Sequence, residues 1–102
     1  MRKFVLGFTF VSALAMTAMA AEFSGYISDA GCAAKKGAQT AADSHAGCAK
    51  GCIKRGDKAV LVTPEGKVYT IANQDKVLEH AGQKVTLVAE ADGDNLTVGE
   101  VK

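Results

Sequence analysis

Three cysteines and one histidine form the only concentrated group of chemically reactive side chains in the sequence. Cys32, His45, Cys48 and Cys52 follow a C-x12-H-x2-C-x3-C pattern. Three thiolates and an imidazole suit tetrahedral zinc, and the same soft ligands suit copper. The spacing differs from the paired C-x2-C knuckles of structural zinc sites. On one straight helix His45 and Cys52 would also lie about 10.5 Å apart along the axis, so the helix would not easily direct both side chains at one ion. A zinc or copper site is therefore one of three interpretations.

The first residues of the chain predict export. Two basic residues are followed by an uncharged apolar run that is too short to span a bilayer. Ala18-Met19-Ala20 then places small residues where signal peptidase accepts them, which predicts a signal peptide at 1–20 with cleavage before Ala21. No cysteine stands at that cleavage point, so we expect a mature domain at 21–102 without a membrane anchor, in the periplasm or outside the cell.

Export into an oxidising compartment favours a disulfide among the three cysteines. On a helical wheel Cys52 faces inward with Ile53, whereas Cys48 lies at the edge of that face. We therefore prefer a bridge between Cys32 and Cys52, which closes a loop of about 20 residues and contributes roughly 3 kcal/mol by the chain-entropy estimate. Thiol redox chemistry is the third interpretation, because a helix N-terminus and His45 close to Cys48 would lower its pKa.

The charge and aromatic content of the mature chain argue against a nucleic-acid partner. Without Arg2 and Lys3, ten basic residues stand against eleven acidic ones. The remaining aromatic residues are Phe23, Tyr26 and Tyr69. Binding to nucleic acid needs a basic surface with stacking rings, and this composition does not provide one.

Alternation and turn residues predict a mostly β fold with a helical insertion. Five strands with a short helix between the third and the fourth make the plan of a five-stranded OB-fold-like barrel. The Cys-bearing loop and helix are then an insertion between strands 1 and 2. The predicted strands are 22–28, 59–62, 67–71, 84–89 and 96–101, with a loop at 32–44, a helix from Asp43 or Ser44 to Arg55, a turn at 63–66 and a short helix at 75–82.

Several segments also carry a resemblance to a known group of proteins. The chain resembles small secreted bacterial OB-fold proteins of an uncharacterised family, which is similar in plan to periplasmic stress-tolerance OB-fold proteins. The resemblance implies the OB fold and export, and it implies no reaction. The matching segments are His45 to Lys54, Val60-Leu61-Val62, Gly66 to Tyr69, Ala72 to Asp75 and His80 to Thr86.

The sequence favours a binding protein over an enzyme. It contains no nucleophile elbow, no phosphate-binding loop and no carboxylate pair in a recognisable catalytic setting. The hypothesis is a non-enzymatic exported binding module, stapled by a disulfide, for a small ligand or protein that the sequence does not name. OB folds bind ligands on the face of strands 2 and 3, so Tyr26 and Tyr69 are the predicted ligand-contacting residues.

Overall fold

Residues 20–102 are mostly β, with one five-stranded sheet and two α-helices. The structure, a computed structural model, describes residues 20–102; the predicted signal peptide therefore lies outside the described residues except for Ala20. The strands are β1 (Ala20–Asp29), β2 (Ala59–Val62), β3 (Val68–Ile71), β4 (Lys84–Asp92) and β5 (Asn95–Val101), and the helices are α1 (Ala30–Lys36) and α2 (Ala46–Lys54). Short 3₁₀ turns lie at Gly37–Thr40, Asp43–His45, Gln74–Lys76 and Leu78–His80.

The strands form a closed ring in the order β1-β2-β3-β5-β4, with β4 pairing back to β1. All neighbours are antiparallel except β3 and β5, which pair in parallel through Ile71 and Leu96. Strand β1 pairs first with β4 and then with β2, and Tyr26 has a partner in both. At Gly25 an added Cβ would stand 2.4 Å from the carbonyl oxygen of Val62, so only glycine allows β1 to pass this close to β2.

Both faces of β2 are covered, which explains its uninterrupted apolar sequence. Ala59 and Leu61 belong to the main core inside the ring, whereas Val60 and Val62 pack on the other side with Ala33 of α1. The main core holds residues from all five strands, from α2 and from the segment between β3 and β4: Ile27, Ile53, Ala59, Leu61, Ile71, Val77, Ala81, Val85, Leu87, Ala89, Leu96 and Val98. The insertion thus packs against the sheet instead of extending into solvent.

Both predicted hairpins are confirmed. Strands β2 and β3 pair through Val62 and Val68 around the predicted turn, where the N–H of Gly66 donates to the carbonyl of Thr63 at 2.9 Å. Strands β4 and β5 pair around the second predicted turn, with a register irregularity after Val88. The predicted Cys-bearing helix is also present, as a 3₁₀ turn at Asp43–His45 followed by α2.

Two predicted elements are wrong. The segment predicted as a loop at 32–44 is helical in its first part, because α1 runs from Ala30 to Lys36. The side chain of Asp29 caps this helix by accepting a hydrogen bond from the N–H of Cys32. The buried face of α1 is made of alanine, and its small side chains let the helix lie close to β2 without a large apolar residue. The predicted short helix at 75–82 consists instead of two 3₁₀ turns, the second ending before Ala81.

A close backbone approach fixes the start of α2 against the sheet. The N–H of Gly82 donates to the carbonyl of Ile27 in β1 at 2.7 Å. An added Cβ at Gly82 would lie 2.7 Å from the carbonyl oxygen of Ala46, the first residue of α2, and the φ of Gly82 is +80°. Glycine is therefore required here both by conformation and by space.

Candidate metal centre

Asp29 lies at the centre of the site. It is the last residue of β1 and is 1% exposed. One carboxylate oxygen, Oδ2, accepts the N–H of Cys32 at 3.0 Å, which caps α1. The other oxygen, Oδ1, lies 2.9 Å from Nε2 of His45. A single buried carboxylate therefore joins the end of β1, the first turn of α1 and the residue that precedes α2.

His45 is held by the segments on either side of it. Its side chain is 10% exposed and ends the 3₁₀ turn Asp43–His45. The hydroxyl of Tyr26 in β1 donates to Oδ1 of Asp43 at 2.9 Å, and this ties the start of the same turn to the sheet. The imidazole is thus fixed by a buried partner and by an anchored backbone, which is the arrangement that a histidine ligand needs.

Two sulfur atoms and the imidazole of His45 converge at one point. Ligand atoms of Cys32, His45 and Cys48 all lie within 4.8 Å of one another. Cys32 stands in the first turn of α1 and Cys48 in the first turn of α2, so the two helices bring them together by beginning side by side. Small movements of these side chains would place all three atoms at metal-binding distance, about 2.0–2.3 Å from one ion.

Cys52 lies outside this group of three ligands. It follows Cys48 by one helical turn and is partly buried. Its sulfur lies 3.4 Å from Nη2 of Arg55, which donates to it. The structure therefore brings together three of the four predicted ligands, one from α1, one from the 3₁₀ turn before α2 and one from α2. This arrangement removes the geometric difficulty that a single straight helix would present.

The buried carboxylate controls the protonation of its neighbours. Burial alone would raise the pKa of Asp29, but hydrogen bonds from His45 and Cys32 outweigh it and lower the pKa to about 2. The hydrogen bond to Asp29, followed by burial, raises the pKa of Cys32 to about 11. Burial and then the charge of Asp29 raise the pKa of Cys52, against the effect of Arg55. A metal ion bound here must displace the Cys32 proton, so binding releases acid.

The chain matches no protein-family model, no curated protein and no solved structure. The case for a function therefore rests on the geometry of the site. Within residues 20–102, no helix combines the length and the apolar composition needed to cross a membrane.

The two predicted ligand-contacting residues, Tyr26 and Tyr69, do not form a common site. Tyr69 packs against the main core with its ring 5.2 Å from that of Phe23, whereas Tyr26 bonds to Asp43. The two tyrosines therefore have different surroundings. Cys32, Cys48 and Cys52 all carry free thiols, and the Cys32–Cys52 bridge stays a prediction.

Sequence reasoning missed Asp29 as a member of the site. The available signal was its position three residues before Cys32, which is the spacing between an N-cap residue and the third residue of a helix. The lack of a large apolar residue at 32–44 predicts a loop there, and a loop needs no N-cap residue. Only the structure shows that the same carboxylate also reaches His45.

Proposed function

We propose that the protein binds a thiophilic transition-metal ion, zinc or copper, through Cys32, His45 and Cys48. The convergence of two sulfur atoms and one imidazole within 4.8 Å carries the proposal. Two thiolates and an imidazole form a donor set that suits Zn(II) and Cu(I), whereas magnesium and calcium bind oxygen ligands. The three side chains come from α1, from the 3₁₀ turn before α2 and from α2, and they lie around a buried carboxylate. These features distinguish the site from exposed acidic clusters that bind cations weakly.

The proposed setting is an exported, non-enzymatic OB-fold module. The strand order β1-β2-β3-β5-β4, with β3 and β5 in parallel, supports the OB plan of a closed five-stranded sheet. Export is supported by the sequence of residues 1–20, and N-terminal sequencing of the exported protein should begin at Ala21. Material that began at Met1 would contradict the proposed periplasmic or secreted location.

A disulfide-stapled binding module is the second candidate, because an oxidising compartment favours pairing of the same thiols. The sequence predicts Cys32–Cys52, and the sulfurs of Cys32 and Cys48 also lie within 4.8 Å of each other. Either bridge removes Cys32 from the metal site, so the two candidates exclude each other in any one molecule. Intact mass separates them: a disulfide lowers the denatured mass by about 2 Da, and a bound metal adds mass only under native conditions.

The decisive experiment is a metal titration of the reduced protein. Zn(II) and Cu(I) are added in competition with a chromophoric chelator of known affinity. We expect one equivalent to bind, with Cys32→Ser, His45→Ala and Cys48→Ser each lowering the affinity by at least about tenfold, or about 1.4 kcal/mol. His80→Ala is the matched control, since His80 lies at the end of another 3₁₀ turn and contacts Gln83.

Cys52→Ser completes this series and defines the ligand set. If the three-residue group is the site, this variant binds like the unaltered protein. A loss equal to that of Cys48→Ser would assign Cys52 as a fourth ligand. Equal weak binding by the unaltered protein and by Cys32→Ser would overturn the metal proposal.

A further inference from the structure

We infer that Asp29 is the positioning residue of this centre, and that it commits His45 to bind the metal through Nδ1. The inference rests on the proposed metal-binding function. It is carried by two hydrogen bonds of one buried carboxylate, each to a different proposed ligand residue. The hydroxyl of Ser28 also donates to Oδ1, at 3.5 Å.

The bond to His45 selects one ring nitrogen. Oδ1 of Asp29 lies 2.9 Å from Nε2. An ionised carboxylate can only accept, so Nε2 must carry the proton. In a neutral imidazole the other nitrogen, Nδ1, then holds the free lone pair. Nδ1 is therefore the atom available to the metal, and a carboxylate behind the ring makes that nitrogen more basic.

The hydrogen bond from the backbone N–H of Cys32 to Asp29 fixes the position of the second proposed ligand residue. Oδ2 of Asp29 accepts the N–H of Cys32 at 3.0 Å, so the first turn of α1 is held relative to β1. Movement of Asp29 would displace Cys32 and His45 together. Asp29 is a positioning residue because it acts on the ion through these two residues.

The charge of Asp29 adds to this role. In residues 20–102 the carboxylate contacts the imidazole of His45 and forms a salt bridge with no lysine or arginine, and it is 1% exposed. A buried negative charge without a permanent cationic partner favours the arrival of a cation nearby. When a metal ion displaces the proton of Cys32, the charge of the ion offsets the repulsion between the new thiolate and Asp29.

The first test needs no variant. Long-range ¹H–¹⁵N NMR of the metal-free reduced protein reports which nitrogen of His45 carries the proton. We expect the Nε2–H form, and on addition of zinc the Nδ1 resonance should show the shift of a coordinated nitrogen. An Nδ1–H form without metal, or coordination through Nε2, would overturn the inference while leaving the metal site itself intact.

The second test compares Asp29→Asn with Asp57→Asn. Asparagine caps helices as well as aspartate does, so its carbonyl oxygen can keep the bond to the N–H of Cys32. Its NH₂ group then faces Nε2 of His45 and can only donate, which favours the tautomer with the proton on Nδ1 and occupies the nitrogen proposed to bind the metal. We expect zinc affinity to fall about 10–100-fold. Asp57 is the matched control: it also binds the start of α1, through the N–H of Gly31 at 3.1 Å, and should leave the affinity within about twofold.

The outcomes separate the two proposals. If the unaltered protein binds neither zinc nor Cu(I), the proposed function fails. If it binds zinc and Asp29→Asn binds equally well, only the role of Asp29 fails. Should Asp29→Asn lose its cooperative thermal transition, the tautomer of His45 in the unaltered protein decides the inference.

Discussion

The hydroxyl of Tyr26 donates to Oδ1 of Asp43 at 2.9 Å and so joins β1 to the turn that carries His45. Tyr26→Phe removes this bond and keeps the ring. We expect a stability loss of about 0.5–1 kcal/mol and a decrease in zinc affinity of no more than about fivefold, because the bond is exposed and acts on the backbone alone. Urea unfolding and chelator competition measure the two effects.

Tyr69→Phe is the control for this substitution, since the Tyr69 ring packs on Phe23 away from the site. It should leave zinc affinity unchanged. Equal losses in both variants would show that the Tyr26 hydroxyl has no specific role in holding the turn.

The three thiols should differ in reactivity. In reduced, metal-free protein at pH 8, iodoacetamide should modify exposed Cys48 first and Cys32 last, because a pKa of about 11 keeps Cys32 protonated. Zinc should then protect Cys32 and Cys48 and leave Cys52 reactive. Trypsin cleaves after Lys35, Lys50 and Lys54, so mass spectrometry reads each cysteine on a separate peptide. Protection of Cys52 in place of Cys48 would contradict the ligand set.

Acid should weaken the metal-free protein through Asp29. Its pKa is lowered from 3.8 to about 2 in the folded protein. The ionised carboxylate therefore contributes stability that is fully present above about pH 4 and is lost as pH falls toward 2, up to about 2 kcal/mol. Urea unfolding with a chelator present, at pH 6 and at pH 2.5, should show this loss in the unaltered protein. An equal loss in Asp29→Asn would assign the acid sensitivity to other carboxylates.

Gly82 should be intolerant of a side chain. Gly82→Ala would place a Cβ 2.7 Å from the carbonyl of Ala46 at a φ of +80° and displace the start of α2. We expect a destabilisation of about 3 kcal/mol and weaker zinc binding. Gly93→Ala has a similar φ of +64° but open space around it, so it should cost only about 1 kcal/mol and leave the metal site unchanged. Similar losses would mean that backbone conformation, and not the contact with Ala46, is responsible.

The sheet was predictable from local sequence because its signals are short-range. Turn residues at 63–66 and 92–95 lie between segments with the residue types of strands, and both hairpins follow from them. Helix α1 was not predictable in the same way. Its apolar face is alanine, and its partners Val60 and Val62 lie far along the chain. The four apolar residues of β2 did hold a clue, because a strand that is apolar on both faces requires a cover on each side.

The candidate metal centre could not be predicted in full, because it is formed by contacts between distant residues that the spacing of the sequence does not reveal. Cys32 and Cys48 approach each other because two helices begin next to the buried end of β1. The C-x12-H-x2-C-x3-C pattern contains the right residue types, but it cannot show which of them meet. The role of Asp29 is harder still to predict from the sequence, since it requires the positions of both α1 and the turn at His45.

The insertion begins and ends at directly paired positions of the sheet, since Asp29 faces Ala59 across β1 and β2. An antiparallel pair of this kind could be closed by a tight turn, so everything from 30 to 58 is dispensable for the path of the strands. The segment could therefore be gained, lost or transplanted as a unit between proteins that share this sheet. A recipient would need an aspartate at the end of its first strand and a second strand with apolar residues on its outer face.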